Sequence, residues 1–300
     1  MLREIAIVGA GGRMGRWFST HFSERKGVKL MLYDTNSSSV KATQNTIVCD
    51  ELFRCVANAD LVMVCVPISR TALTIRRCAT KMKPGAILAE IASIKHQSYE
   101  ELKRIPDHVK PLCIHPMFGP AAPSINLMKI LLIPVRDKVK ELRVSRNLFD
   151  GAIIKIVHDA KTHDTCMSVI LGLTYFTNLA FASFLSKEDF LSLERLSGTT
   201  FRIQSLLSGS ILLDDPDLIV ALVSQNLVVR KYIRRYLNES RHLERLISKH
   251  NQPKMKSTIE KLRSIYQDQQ NLKPLLAQLY KIILRLNKNN CGPKRQRKRE

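Results

Sequence analysis

Through the first half of the chain, short apolar runs alternate with stretches in which apolar residues recur every three or four positions. The apolar runs predict strands at Glu4–Val8, Lys29–Tyr33, 61–66, 86–91, 109–114, 129–133 and Ile153–Ile156. Helical spacing fills most of the gaps, for example over 15–25 and 69–82. This βαβα rhythm predicts an α/β Rossmann-type domain, a doubly wound and mostly parallel sheet with helices on both faces. After about His158 the texture changes. The segment 161–185 is apolar at helical spacing through Met167, Ile170, Leu171, Thr174 and Asn178. Further helices are predicted at about 188–207, 218–249 and 254–286, with no convincing strand among them. The expected organisation is therefore a Rossmann domain over 1–158, an all-α domain over 159–290, and a basic, disordered tail over 291–300.

The first strand runs straight into Gly9-Ala10-Gly11-Gly12-Arg13-Met14-Gly15. Glycines are needed where backbone turns tightly and approaches a pyrophosphate, and the following helix N-terminus turns its N–H groups and positive dipole end toward that anion. A lone glycine motif is weak evidence, but this one follows a strand and opens a helix, which is the context the motif requires. Gly9, Gly12, Gly15, Arg13 and Met14 are the expected phosphate-side residues. The second strand ends at Asp34, an acidic residue placed to bind the adenosine ribose hydroxyls and to repel a 2′-phosphate. NAD is therefore expected over NADP, although Asp34 in DTNSSS also suits a plain turn. The third strand ends in Val66-Pro67, where a loop would cover the nicotinamide side.

The chain has 300 residues, enough for two domains, with 45% hydrophobic and 25% charged residues. Its net charge of +22 is unusual and raises a nucleic-acid partner or a basic surface that attracts anions. No RNA-binding aromatic signature or helix-turn-helix pattern accompanies it, so a nucleic-acid role is not expected. The seven cysteines are odd in number and form no CxxC pair, which argues against a disulfide framework or a zinc site and for a reducing cytoplasm. No metal is expected. No apolar run reads as the 18–20 residues, roughly, that a membrane span needs, and MLREIAIVGAGG reads as a strand and turn rather than a leader. The leucine and isoleucine stripes of the last long helices suit either packing within one subunit or a homodimer interface; the dimer is favoured, because exposed stripes are costly.

Three further stretches narrow the reading: Glu90-Ile91-Ala92-Ser93-Ile94-Lys95, His115-Pro116-Met117-Phe118-Gly119-Pro120, and His163-Asp164 followed by Leu173-Thr174-Tyr175-Phe176. In this order, after this glycine loop, they resemble the prephenate dehydrogenase family, particularly its archaeal members, over roughly residues 1–230. That resemblance implies oxidation of the ring C4 hydroxyl of prephenate by NAD(P) with loss of CO2, giving 4-hydroxyphenylpyruvate on the route to tyrosine. It implies His115 as the base that takes the hydroxyl proton, a role suited to neutral imidazole, with Ser93 beside it. Ser93 also reads as an N-cap of the next helix, and His163 as a residue fixing the domain junction.

Two departures from the family pattern stand out. Tyr175 occupies a position where the family often has a substrate-contacting histidine. Ser210, in Gly209-Ser210 before Asp215-Pro216, stands where the family has an arginine that holds a substrate carboxylate. Losing such a charge-assisted bond costs about 1.5–3 kcal/mol. Arg202, eight residues earlier on the same predicted helix and about 80° around its axis, is a candidate replacement, or a structural arginine. The departures keep two alternatives open: a related dehydrogenase acting on arogenate or another hydroxy acid, and a catalytically inactive dinucleotide-binding regulator.

Overall fold

The computed structural model describes residues 2–41, 45–269 and 272–290. Eight strands form one sheet in the order β3-β2-β1-β4-β5-β6-β7-β8. They are β1 (Glu4–Val8), β2 (Lys29–Tyr33), β3 (Thr46–Val48), β4 (Leu61–Val64), β5 (Ile87–Glu90), β6 (Lys110–Pro116), β7 (Lys129–Leu132) and β8 (Ile153–Ile156). Only β6 and β7 pair antiparallel. The helices are α1 (Arg13–Ser23), α2 (Leu52–Val56), α3 (Ile68–Ala79), α4 (His96–Arg104), α5 (Lys138–Leu148), α6 (Ala160–Met167), α7 (Thr174–Leu185), α8 (Phe190–Leu196), α9 (Thr199–Ile211), α10 (Pro216–Val220), α11 (Val229–Ser248), α12 (Gln252–Gln269) and α13 (Leu272–Asn290).

The near-continuous apolar strands follow from burial on both faces. Alternate side chains of β1 and β4 enter different cores: Ala6, Val8, Val62 and Val64 one, Ile5, Ile7, Leu61 and Met63 the other. Helix α1 covers the second core with Phe18 and Phe22, one turn apart, which meet Phe149. Helix α3 covers the first with Ile75, Cys78 and Ala79. Strand order reverses between β1 and β4, so the loops after their C-terminal ends flank a crevice of the kind that takes ligands in such sheets.

The chain divides into two compact units. Unit 1 joins Met1–Gly172 with Pro216–Val229, and unit 2 joins Leu173–Asp215 with Arg230–Glu300. In unit 1 the returning segment seats closely on α6 and the turn after it. A Cβ on Gly172 would lie 2.2 Å from Val229 Cγ2 and 3.2 Å from the Leu222 carbonyl, so the approach needs glycine. In unit 2, α7 packs on α9 through Phe181 and Phe201 and through a polar knot of Asn178, Gln204 and Ser208.

Several expectations need correction. Strand β3 was not anticipated: it has three residues, at the sheet edge, and too few alternations to register. The strand expected over 61–66 stops at Val64. The helix expected over 188–207 is two, broken at Ser197-Gly198, and the one over 218–249 is interrupted by the π-helical stretch Ala221–Gln225 and a turn before Val229. The expected 254–286 helix is α12 and α13. The run 161–185 is continuous but contains a π-helical stretch, Ser168–Leu173, that shifts the helical phase and leaves Ile170 exposed. This run, Ala160–Leu185, is also long and apolar enough by length and composition to cross a membrane, contrary to the sequence expectation. Its polar residues are nevertheless engaged within the protein: His163, Asp164 and Ser168 in unit 1, Asn178 in unit 2. The proposed tail, with Cys291, lies outside the described residues.

Candidate functional site

Glycine chemistry builds the crevice. Gly9 adopts φ +88°, and a Cβ there would meet the Cys65 carbonyl oxygen at 2.5 Å, so the glycine loop lies directly on the segment leading to Val66 and Pro67. A Cβ on Gly15 would collide with the Gly9 carbonyl oxygen at 2.0 Å. Gly12 is the N-cap of α1 and, being glycine, contributes no side-chain cap, while Arg13 and Met14 begin the helix. Gly11, not singled out from the sequence, donates its N–H to Asp34 Oδ2 at 2.9 Å. Asp34 is half-buried at the end of β2 and also accepts from Asn36 N–H, so the ribose-side and turn readings coexist in one residue. Val66 packs against the first core, and Pro67 is the N-cap of α3. A helix N-terminus whose N-cap is glycine, a glycine cradle without room for side chains and an acidic residue at the neighbouring strand end fit a dinucleotide.

His115 is the penultimate residue of β6, at 3% exposure. Burial first, then the neighbouring His163 and Lys95, push its imidazole well below the usual value, so it is neutral near pH 7. Its Nδ1 lies 2.9 Å from His163 Nε2, and His163 Nδ1 lies 2.8 Å from Asp164 Oδ1. Burial lowers His163 too, against the opposing pull of Asp164. The position of β6 is held from beneath. Lys95, fully buried, reaches Glu90 Oε1 at 2.6 Å and also donates to the Ile114 carbonyl, one residue before His115. Glu90 further accepts from Ala92 N–H and the Cys113 thiol. The loop after His115 is anchored on α1, where Trp17 stands 4.9 Å from the Phe118 ring and donates to the Ala122 carbonyl.

Ser93 is half-buried between β5 and α4 and does not cap that helix. Asp164 does, accepting from Lys95 N–H at 2.8 Å and His96 N–H at 3.0 Å. His163 is thus a hydrogen-bonding partner of His115, across the boundary expected at 158–159. His163, Asp164, Glu90 and Lys95 all stand in the three motifs, but their contacts are tertiary, which spacing does not carry.

The substrate-side candidates belong to unit 2. Tyr175 donates its hydroxyl to Asp214 Oδ2 at 2.7 Å. Ser210 is exposed on α9 and donates to the Leu207 carbonyl, while Arg202 is half-buried on the same helix. Among the described residues no cluster could hold a metal ion.

Comparisons with known proteins agree with this architecture. Residues 21–132 match the family model "Prephenate dehydrogenase, nucleotide-binding domain", and residues 159–264 match "Prephenate dehydrogenase, dimerization domain". Among curated relatives, a probable arogenate/prephenate dehydrogenase of Methanocaldococcus jannaschii is 22% identical over 81% of this chain and 56% of its own length. The T-protein of Haemophilus influenzae is 24% identical over 80% of this chain and 61% of its own. The chain thus spans less than two thirds of these relatives. Among solved structures, the A. aeolicus prephenate dehydrogenase with hydroxyphenyl propionate and NAD+ superposes with a TM-score of 0.70 at 18% identity, covering 90% of this chain and 99% of that one. Synechocystis arogenate dehydrogenase superposes with a TM-score of 0.65 at 20% identity, covering 87% and 98%. With both domain models matched in order along most of its length, the chain belongs to the prephenate dehydrogenase family.

Proposed function

We propose that this protein is an NAD-dependent dehydrogenase that oxidises and decarboxylates prephenate. The observation that carries the reading is a neutral, buried His115 at the C-terminal edge of the sheet, beside a crevice shaped for a dinucleotide. Bound NAD would supply the hydride acceptor. Gly9, Gly12 and Gly15, with the α1 N-terminus formed by Arg13 and Met14, would hold its pyrophosphate; Asp34 would hold the ribose diol; Val66 and Pro67 would line the nicotinamide side. His115 accepts the proton of the substrate hydroxyl as hydride leaves the same carbon, and Ser93 hydrogen-bonds beside it. Loss of CO2 then restores an aromatic ring. On this reading residues 1–158 bind the nucleotide, and 159–290 shape the substrate side and pair two copies of the chain. The second family match, beginning at 159, supports that division. Five buried free cysteines support a reducing, cytoplasmic setting.

A second substrate is favoured by a specific observation. Ser210 brings no cation to the place where the resemblance implies an arginine, and Tyr175 is engaged with a carboxylate. Arogenate, which carries an ammonium where prephenate carries a keto group, has one net negative charge fewer to be held, and since both substrates keep two carboxylates, Arg202 is the candidate cation for either. Purified protein assayed for NADH and NADPH formation with prephenate and arogenate decides. Turnover with NAD and prephenate supports the first reading, and turnover confined to arogenate supports the second. No turnover with either, from folded protein that binds NAD, would leave a dinucleotide-binding regulator.

A further inference from the structure

The Asp164–His163–His115 chain has a direction, and the direction determines which nitrogen of His115 is basic. Asp164 accepts two N–H groups at the N-terminus of α4, from Lys95 on Oδ1 and His96 on Oδ2, where the helix dipole favours an anion. An ionised carboxylate only accepts. The proton between Asp164 and His163, 2.8 Å apart, therefore sits on His163 Nδ1. A neutral imidazole carries one N–H, so His163 Nε2 presents a lone pair to His115 Nδ1 at 2.9 Å, and His115 must donate there. Its remaining nitrogen, Nε2, then holds the free lone pair. The anchor of this chain is itself fixed: the Asp164 carbonyl accepts from Asn226 Nδ2 at 2.7 Å and from Ser168 Oγ at 2.8 Å.

We propose that His163 and Asp164 are positioning residues that lock His115 in the Nδ1–H tautomer, leaving Nε2 as the atom that takes the substrate proton. The inference rests on the reading of His115 as the base. One proton moves in the step, from the substrate hydroxyl to His115 Nε2. The Nδ1 proton stays in place, hydrogen-bonded to His163, and Asp164 remains ionised and offsets the new imidazolium charge. Lys95, the other charge near both rings, is committed to Glu90 and the Ile114 carbonyl.

The test uses full-length protein labelled with 15N at histidine, with His115→Asn and His163→Gln spectra assigning the resonances. The expected result is His115 protonated at Nδ1 and not at Nε2 in the free wild type. His163→Gln, whose amide oxygen still accepts from His115, retains that tautomer and keeps kcat within about tenfold. His163→Leu, which offers no acceptor, loses the preference and lowers kcat by about 10²–10⁴-fold, the range for a misplaced catalytic proton, with KM and NAD affinity within about threefold. Protonation of wild-type His115 at Nε2 overturns the proposal, as does wild-type kcat in His163→Leu. Should the leucine variant not fold, the wild-type and glutamine spectra still decide. The spectrum needs no substrate. A wild type with the Nδ1–H tautomer but no dehydrogenase activity would uphold the lock and sink the catalytic reading.

Discussion

At the scale of single residues, the proposed chemistry depends on keeping an imidazole neutral in a place that water hardly reaches. Burial depresses both His115 and His163. A base with a depressed value stays competent further into acid, so the acidic limb of kcat/KM against pH is expected below 6.5 rather than at it; a limb above 7 would contradict the burial argument. Stability follows with a definite sign. In the unfolded chain these histidines take up protons near pH 6.5, and in the folded chain they resist. The unfolded state then binds more protons, and stability is lost as pH falls from about 6.5 toward the lowered folded values. Denaturant midpoints measured from pH 7.5 down to 5.5 check this. Individually, His115, Ser93, Asp34 and the glycines are legible in sequence because each sits at the end of an apolar run. His163 is not, since its meaning comes from a contact 48 positions away in the chain. Nor is Lys95, a residue type that is rarely buried unless paired and whose partner is revealed only by the fold.

At the scale of elements, the sheet strands are readable because burial on both faces gives them uninterrupted apolar character, as in β4 and β1. The short edge strand β3, half exposed, offers no such pattern. The helices after position 158 are readable in kind but not in their breaks. Gly198 marked one interruption, and Leu-rich periodicity on either side hid it. The π-helical stretches were not visible because they keep the helical period approximately while shifting its phase. One of them contains Gly172, which lies against Val229 and the Leu222 carbonyl. Gly172→Ala is expected to destabilise the protein by about 1–3 kcal/mol through overpacking against Val229, with Gly119→Ala, which meets open space, as a control in the same denaturation series. Equal midpoints for the two variants would show that the contact yields freely.

At the scale of the whole molecule, the chain separates into two compact units, and unit 1 includes a segment, Pro216–Val229, that no local pattern assigns to it. The described part of the helical region leaves large apolar side chains exposed, among them Leu191, Leu196, Ile247 and Tyr266. Together with the matched dimerization domain, this leads to the expectation of a homodimer through the C-terminal helices. Sedimentation at micromolar concentration should give twice the chain mass of 34.2 kDa, and a monomer would remove the pairing of helices from the account. The surplus of 48 Lys and Arg over 26 Asp and Glu suits an enzyme whose cofactor and substrate are anions. Everything proposed for catalysis converges on one ring, and the most direct measurement is steady-state turnover of the wild type and His115→Asn, with NAD affinity measured on both. The account predicts unchanged NAD binding and a kcat lower by about 10²–10⁴-fold, the usual worth of a general base. A variant that turns over like the wild type would contradict it.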